Sequence, residues 1–68
     1  MYVISYRSNG DKYDRKISII DKDYAISILT HILDCWDLES VTVIDGLTGE
    51  LLYEYSNNTT KIYSSDFI

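Results

Sequence analysis

One helical segment constrains the fold of this chain more than any other feature. Residues 23–37, DYAISILTHILDCWD, are the only long stretch with helical periodicity in 68 residues. At about 100° per residue, its apolar side chains share one wide arc that holds Ala25, Ile26, Ile28, Leu29, Ile32, Leu33 and Trp36. The pattern predicts an amphipathic helix, capped by Asp21 or Asp23, that lies across a β-sheet.

A first β-hairpin is predicted before this helix. Residues 2–7 and 12–20 are rich in β-branched and aromatic side chains, and Asn9-Gly10 lies between them. Asn-Gly favours a type I′ turn, in which both central residues need a positive φ. With these residues at the centre of the turn, Tyr6 would lie opposite Tyr13.

A second hairpin is predicted after the helix, from residues 40–45 and 50–56. In its Gly-Leu-Thr-Gly loop, Gly49 can adopt the left-handed conformation, and the Asp45 carboxylate can accept from free N–H groups. Pairing Asp45 with Glu50 would put one set of side chains on a common face: Thr42, Ile44, Leu51, Tyr53 and Tyr55. Because Val41, Val43 and Leu52 would take the other face, both faces of the sheet are expected to be substantially apolar.

These elements predict an α+β fold, a ββαββ antiparallel sheet of two hairpins with one amphipathic helix packed on one face. Residues 1–56 form the predicted single domain. Residues 57–68 end in Phe67-Ile68, so we expect this segment to dock on the domain or on a neighbouring subunit.

A chain of this size buries only about 60% of its unfolded surface. Since Cys35 is the only cysteine, a homodimer or higher oligomer, or else unusually complete packing, is the expected supplement to stability.

Charge and composition exclude several classes of function. The net charge of −5 disfavours direct binding to nucleic acid, whose phosphates an acidic surface repels. No apolar run reaches the roughly 18 residues of a membrane span. The single cysteine fits a reducing compartment, so we expect a cytoplasmic protein without membrane contact.

Catalytic groups are sparse. His31 is the only imidazole, and although Ser27 and Asp34 share its helix face, no oxyanion donors or cleft are implied around them. Cys35 borders the apolar arc and is expected to be buried and inert. We therefore expect a non-enzymatic protein without catalytic residues, metal or cofactor.

Two surfaces are candidates for binding a partner. Tyrosine is enriched at protein–protein interfaces, and a tyrosine-rich sheet surface would comprise Tyr2, Tyr6, Tyr13, Tyr53 and Tyr55. The second candidate is an acidic helix face of Asp23, Asp34 and Asp37. Val3 and Ile20 break the alternation of a sheet that faces water, so apolar area remains for the C-terminal segment, an identical subunit or another protein to cover.

The pattern MYVISYRSNGDKYDRKISI, one helix, then VTVIDGLTGELLYEYS resembles the small acidic ββαββ proteins of phages and mobile elements of low-GC bacteria. These include anti-CRISPR and other anti-defence inhibitors. The resemblance implies a cytoplasmic inhibitor, in the bacterial host cell, that binds a host protein such as a nucleic-acid-binding defence protein.

Three other functions stay open. In an oligomeric sponge that sequesters a nucleotide signal, tyrosine rings would stack on the base and Arg7 or Arg15 would meet phosphate. The acidic helix face would suit a mimic of DNA. A structural subunit would serve assembly alone.

Overall fold

The computed structural model describes residues 1–67. In chain order the elements are β1 (Tyr2–Ser8), β2 (Arg15–Ile19), α1 (Lys22–Cys35), β3 (Leu38–Asp45), β4 (Leu51–Ser56), β5 (Thr59–Ile62) and a 3₁₀ turn (Ser65–Phe67). The strands form one antiparallel sheet in the order β2-β1-β3-β4-β5. This confirms the α+β class and the ββαββ arrangement, to which β5 adds a strand that was not predicted.

The helix follows the predicted pattern closely. Of the two predicted caps, Asp21 is the one used, because its carboxylate accepts a hydrogen bond from the Tyr24 N–H at 2.8 Å. The fully buried face of α1 consists of Ala25, Leu29 and Ile32. After Cys35 the backbone becomes extended at Trp36. The Trp36 ring contacts the Tyr6 ring edge-on, with 5.7 Å between the ring centroids.

The first hairpin differs from its predicted register by two residues. Tyr6 lies opposite Arg15 rather than Tyr13, so Tyr13 falls in the connecting loop with 80% of its surface exposed. Arg15 faces the helix side from the edge strand β2. Its guanidinium reaches the Asp11 carboxylate at 3.6 Å and lies 5.5 Å from the centre of the Trp36 ring.

The turn at Asn9-Gly10 forms, but it is not of type I′. The Asp11 N–H donates to the Ser8 carbonyl at 3.1 Å, and Gly10 has a φ of +91° while Asn9 does not adopt a positive φ. Asn9 is instead held by Asp37 through a backbone bond of 2.8 Å and a side-chain bond of 2.9 Å. These bonds fix the Asn9 backbone, and the predicted turn type is therefore wrong.

The loop of the second hairpin forms as predicted, but the strands beyond it do not pair as predicted. Gly49 has a φ of +77°, and the Asp45 carboxylate accepts from the Leu47 N–H at 2.9 Å. Ile44 then pairs with Leu51 while Val43 pairs with Tyr53, which leaves Leu52 as the extra residue of a β-bulge. The bulge turns Tyr53 and Tyr55 to the side of Val41 and Val43, so the predicted face for these tyrosines is wrong.

The bulge also changes the character of the sheet face away from α1. One row across this open face is polar from edge to edge, and it comprises Lys16, Ser5, Thr42, Glu54 and Lys61. The expectation that both faces are substantially apolar is therefore wrong for most of the sheet. Among the paired strand residues, apolar side chains on the open face are confined to its end near the β3–β4 loop.

The C-terminal segment docks on its own domain. Asn57 and Asn58 have φ values of 52° and 62° and form the two-residue turn that pairs Ser56 with Thr59. Beyond β5, Phe67 is buried, and its ring centre lies 5.8 Å from that of Tyr2. The core thus consists of Ile4, Tyr6, Ile19, Ala25, Leu29, Ile32, Val41, Val43, Leu52, Tyr53 and Phe67. Ile68, part of the predicted docking segment, lies outside the described residues.

Candidate functional site

The five predicted tyrosines do not share one exposed surface. Tyr6 and Tyr53 belong to the buried core, and Tyr2 and Tyr55 are half-buried against it on the helix side of the sheet. Tyr13 is exposed, but it lies in the β1–β2 loop. The tyrosines therefore serve mainly to complete the core between α1 and the sheet.

The predicted acidic helix face is divided between the two ends of α1. Asp23 stands in the first turn, and Asp34 stands in the last, about 16 Å further along the axis at 1.5 Å per residue. Asp37 follows the helix and holds the β1–β2 loop through Asn9. Asp37 therefore has a structural role, and Asp23 and Asp34 are too far apart to meet one small ligand.

His31 and Cys35 lie together on the exposed side of the helix. The Cys35 sulfur is 3.6 Å from Nδ1 of His31, and the thiol is exposed, so the expectation that it is buried is wrong. Cys35 is the last residue of α1 and does not belong to the buried face formed by Ala25, Leu29 and Ile32. Among residues 1–67, no group of three or more His, Cys, Asp or Glu side chains is placed to hold a metal ion.

The remaining apolar area of the open face gathers at one end of the molecule. Val3 pairs with Ile44 and Ile44 with Leu51, which places these three side chains in one row of the open face. The Met1 side chain lies over Gly46. A Cβ atom added to this glycine would stand 2.9 Å from Met1 Cε and 3.4 Å from a Val3 methyl group.

Two more apolar side chains are exposed at the same end of the sheet. Leu47 follows Gly46 in the hairpin loop with 82% of its surface exposed, and Ile20 follows β2 at the same end with 86% exposed. We name the whole set the hairpin-end patch: Met1, Val3, Ile20, Ile44, Leu47 and Leu51. Exposed apolar patches rimmed by polar residues mark interaction sites in other proteins, so this set is the candidate docking surface.

A cavity of about 420 Å³ opens on the helix side of the same end. Its lining residues include three aromatic and three acidic ones, namely Tyr2, Tyr63, Phe67, Asp45, Glu50 and Asp66. The sheet brings Asp45 beside Tyr2 by direct pairing, and the C-terminal segment adds Asp66 and Tyr63. We name this site the acid-lined cavity.

Sequence reasoning found part of the hairpin-end patch and missed the acid-lined cavity. The interrupted alternation at Val3 and Ile20 was the signal for the patch. No comparable signal marks the cavity, because Tyr63 and Asp66 reach it only when β5 folds back on β4 and the Tyr63 N–H donates to the Leu52 carbonyl at 3.0 Å.

Comparisons with known proteins leave the chain without an assigned family. No protein-family model, no curated protein and no solved structure matches it significantly. Within residues 1–67, none of the helices is long and apolar enough to cross a membrane.

Proposed function

We propose that this protein is a non-enzymatic inhibitor or adaptor that acts by binding another protein through the hairpin-end patch. The observation that carries the proposal is the contrast on the open face. Its middle row is polar throughout, whereas Ile20 and Leu47 are more than four-fifths exposed at the end of the sheet that also holds Met1 and Val3. Burial of such side chains against a partner removes apolar area from water and stabilises the complex.

The pattern shared with small phage and mobile-element proteins supports a narrower form of this proposal. In that form the partner is a protein of a bacterial defence system, and binding blocks its action in the host cytoplasm. The net charge of −5 favours a partner whose contact surface is basic, as the surfaces of nucleic-acid-binding proteins are.

The test is affinity capture from bacterial lysates with three immobilised proteins: wild type, the double variant Ile20→Asp/Leu47→Asp, and Tyr13→Asp. Tyr13 is a matched control because it is equally exposed but lies in the loop at the opposite end of β1. We expect one stoichiometric protein to be retained by wild type and Tyr13→Asp and lost from the double variant. Retention by all three, or by none across several hosts, would contradict the proposal.

A second copy of the chain is the alternative occupant of the hairpin-end patch, in line with the homo-oligomer predicted from the sequence. Light scattering of wild type and the Ile20→Asp/Leu47→Asp variant separates the two cases. A wild-type dimer that dissociates in the variant would assign the patch to self-association. A monomer in both samples would leave the patch free for a different protein.

A further inference from the structure

We propose that strand β2 pairs with β2 of a second copy of the chain, so that two five-stranded sheets join into one. β2 is an edge strand, since its only neighbour in the sheet is β1. Among residues 1–67, no backbone hydrogen bond reaches the outer side of β2, which therefore presents free N–H and C=O groups. Such an edge is a template for another strand. A two-fold axis perpendicular to the sheet would pair the edge with itself and keep both helices on one side.

The other free edge, β5, is less suited to this pairing. All four residues of β5 are exposed, and α1 does not cover it, because the helix packs mainly on β1 and β2. β2 is longer by one residue, with Ile19 buried and Ile17 half-buried on the helix side. Apolar side chains along an edge stabilise cross-strand pairs. The pairing is therefore assigned to β2.

One flank of α1 adds apolar area beside this edge. Leu33 lines a cavity together with Tyr55 of β4, so the Leu33 flank of the helix faces β4. At about 100° per residue, Tyr24 and Ile28 fall on the opposite flank, which faces the outer side of β2. Tyr24 is 58% exposed and Ile28 is half-buried. The free edge of β2 therefore runs beside apolar side chains of the helix that its own sheet does not cover.

The spacing of the elements suits a two-fold pair. Neighbouring strands lie about 4.8 Å apart. A helix packed over β1 and β2 lies about 5 Å from a two-fold axis just outside β2, so the helices of two copies would lie about 10 Å apart. Helices that pack against each other have their axes about 8–10 Å apart. Strand pairing would therefore also bring the Tyr24 and Ile28 flanks of the two copies into contact.

The sequence of β2 is complementary to itself when the axis passes at Ile17. Ile17 would then lie opposite its counterpart in the second copy, and Lys16 would lie opposite Ser18. Arg15 would lie opposite Ile19. All five residues of the strand pair in this register, and no like charges face each other. Moving the axis by one residue either opposes two lysines or shortens the ladder to three residues.

The test is light scattering over a range of protein concentrations, with Ser18→Lys as the disruptive variant. Ser18 is exposed on the open face, so the change spares the core of the monomer, but in the dimer each new lysine would lie opposite Lys16. Thr59→Lys is the matched control, because it adds the same charge at an exposed position of the other edge strand. We expect wild type and Thr59→Lys to dimerise alike and Ser18→Lys to raise the dimer Kd about tenfold, since two like-charge pairs are created.

The double variant Lys16→Asp/Ser18→Lys tests the register. It would place a carboxylate opposite each new lysine, so we expect the dimer Kd to return close to that of wild type. Circular dichroism checks that each variant is folded. A wild type that stays monomeric at roughly millimolar concentration, or an unchanged Kd in folded Ser18→Lys, would overturn the inference. A double variant that dimerises no better than Ser18→Lys would overturn the register centred on Ile17.

The inference goes beyond the proposed function, and the two fail separately. Leu47→Asp changes the hairpin-end patch in the β3–β4 loop, and β1 lies between β2 and β3. A dimer that persists in Leu47→Asp and dissociates in Ser18→Lys would assign self-association to β2 and leave the patch for a different protein. Dissociation in Leu47→Asp alone would overturn the β2 interface. Capture that fails while the β2 dimer forms would remove the proposed function and keep the interface.

Discussion

At the scale of single residues, the same amino acid has different roles in different turns. Asn9 is bonded to Asp37 through both its backbone and its side chain and does not adopt a positive φ. Among the hydrogen bonds of residues 1–67, Asn57 and Asn58 have no such partner distant in the sequence, and both adopt the left-handed conformation. The turn that the sequence predicts at Asn9 thus occurs at Asn57, because tertiary bonds decide which asparagine is free to adopt it.

Replacement of Asn57 tests this assignment. Asn57→Ala should lower the free energy of unfolding by about 1 kcal/mol, since a Cβ without a polar group is disfavoured at a φ of +52°. Asn57→Gly, which tolerates that conformation, should cost little. Urea denaturation measures both, and equal stability of the Ala and Gly variants would contradict the left-handed turn.

At the scale of elements, the bulge in β4 determines how the hairpin packs. One extra residue at Leu52 exchanges the faces of all side chains that follow it in the strand. Tyr53 and Tyr55 thereby join Val41 and Val43 on the helix side of the sheet, and the polar Glu54 turns to the open face. The amphipathic pattern of α1 leaves no comparable choice of buried face, because its wide apolar arc is buried only when the helix turns that arc towards the sheet.

Two matched tyrosine substitutions test the bulge. Tyr53→Ala should destabilise the protein by about 3 kcal/mol, because a side chain that is only 6% exposed leaves a cavity in the core. Tyr63→Ala removes the same atoms from a ring that is 53% exposed and should cost less than about 1 kcal/mol. Similar losses in thermal and urea unfolding would contradict the register shown by the bulge.

At the scale of the whole molecule, the C-terminal segment completes a core that the first 56 residues leave open. β5 covers the edge of β4, and Phe67 packs its ring against Tyr2 near the start of α1. The Lys22–Asp66 contact of 3.6 Å is exposed and contributes little, so the attachment depends on β5 pairing and on burial of Phe67. The same segment builds half of the acid-lined cavity.

Loss of the Phe67 ring should therefore affect the entire domain. Phe67→Ala should lower the free energy of unfolding by about 3 kcal/mol, a large share of the roughly 5 kcal/mol expected of so small a domain. Tyr13→Ala, at an exposed loop position, is the control and should cost less than about 0.5 kcal/mol. An unfolding midpoint for Phe67→Ala equal to that of the control would show that the segment is dispensable.

The sequence by itself determined the elements whose signals are local. The apolar arc of the helix, the Asp21 cap and the Gly49 loop depend on neighbours within a few residues, and the structure confirms them. The α+β class followed from their order.

Only the tertiary structure decided the register of both hairpins, the fifth strand and the composition of the candidate sites. Register depends on partners far along the chain, such as Asp37 for Asn9 or Val43 for Tyr53. A shift of one residue exchanges the two faces of a strand, so the same tyrosines become either a surface or a core. The hairpin-end patch and the acid-lined cavity exist only because the sheet brings residues 1–3, 44–51 and 63–67, together with Ile20, to one end.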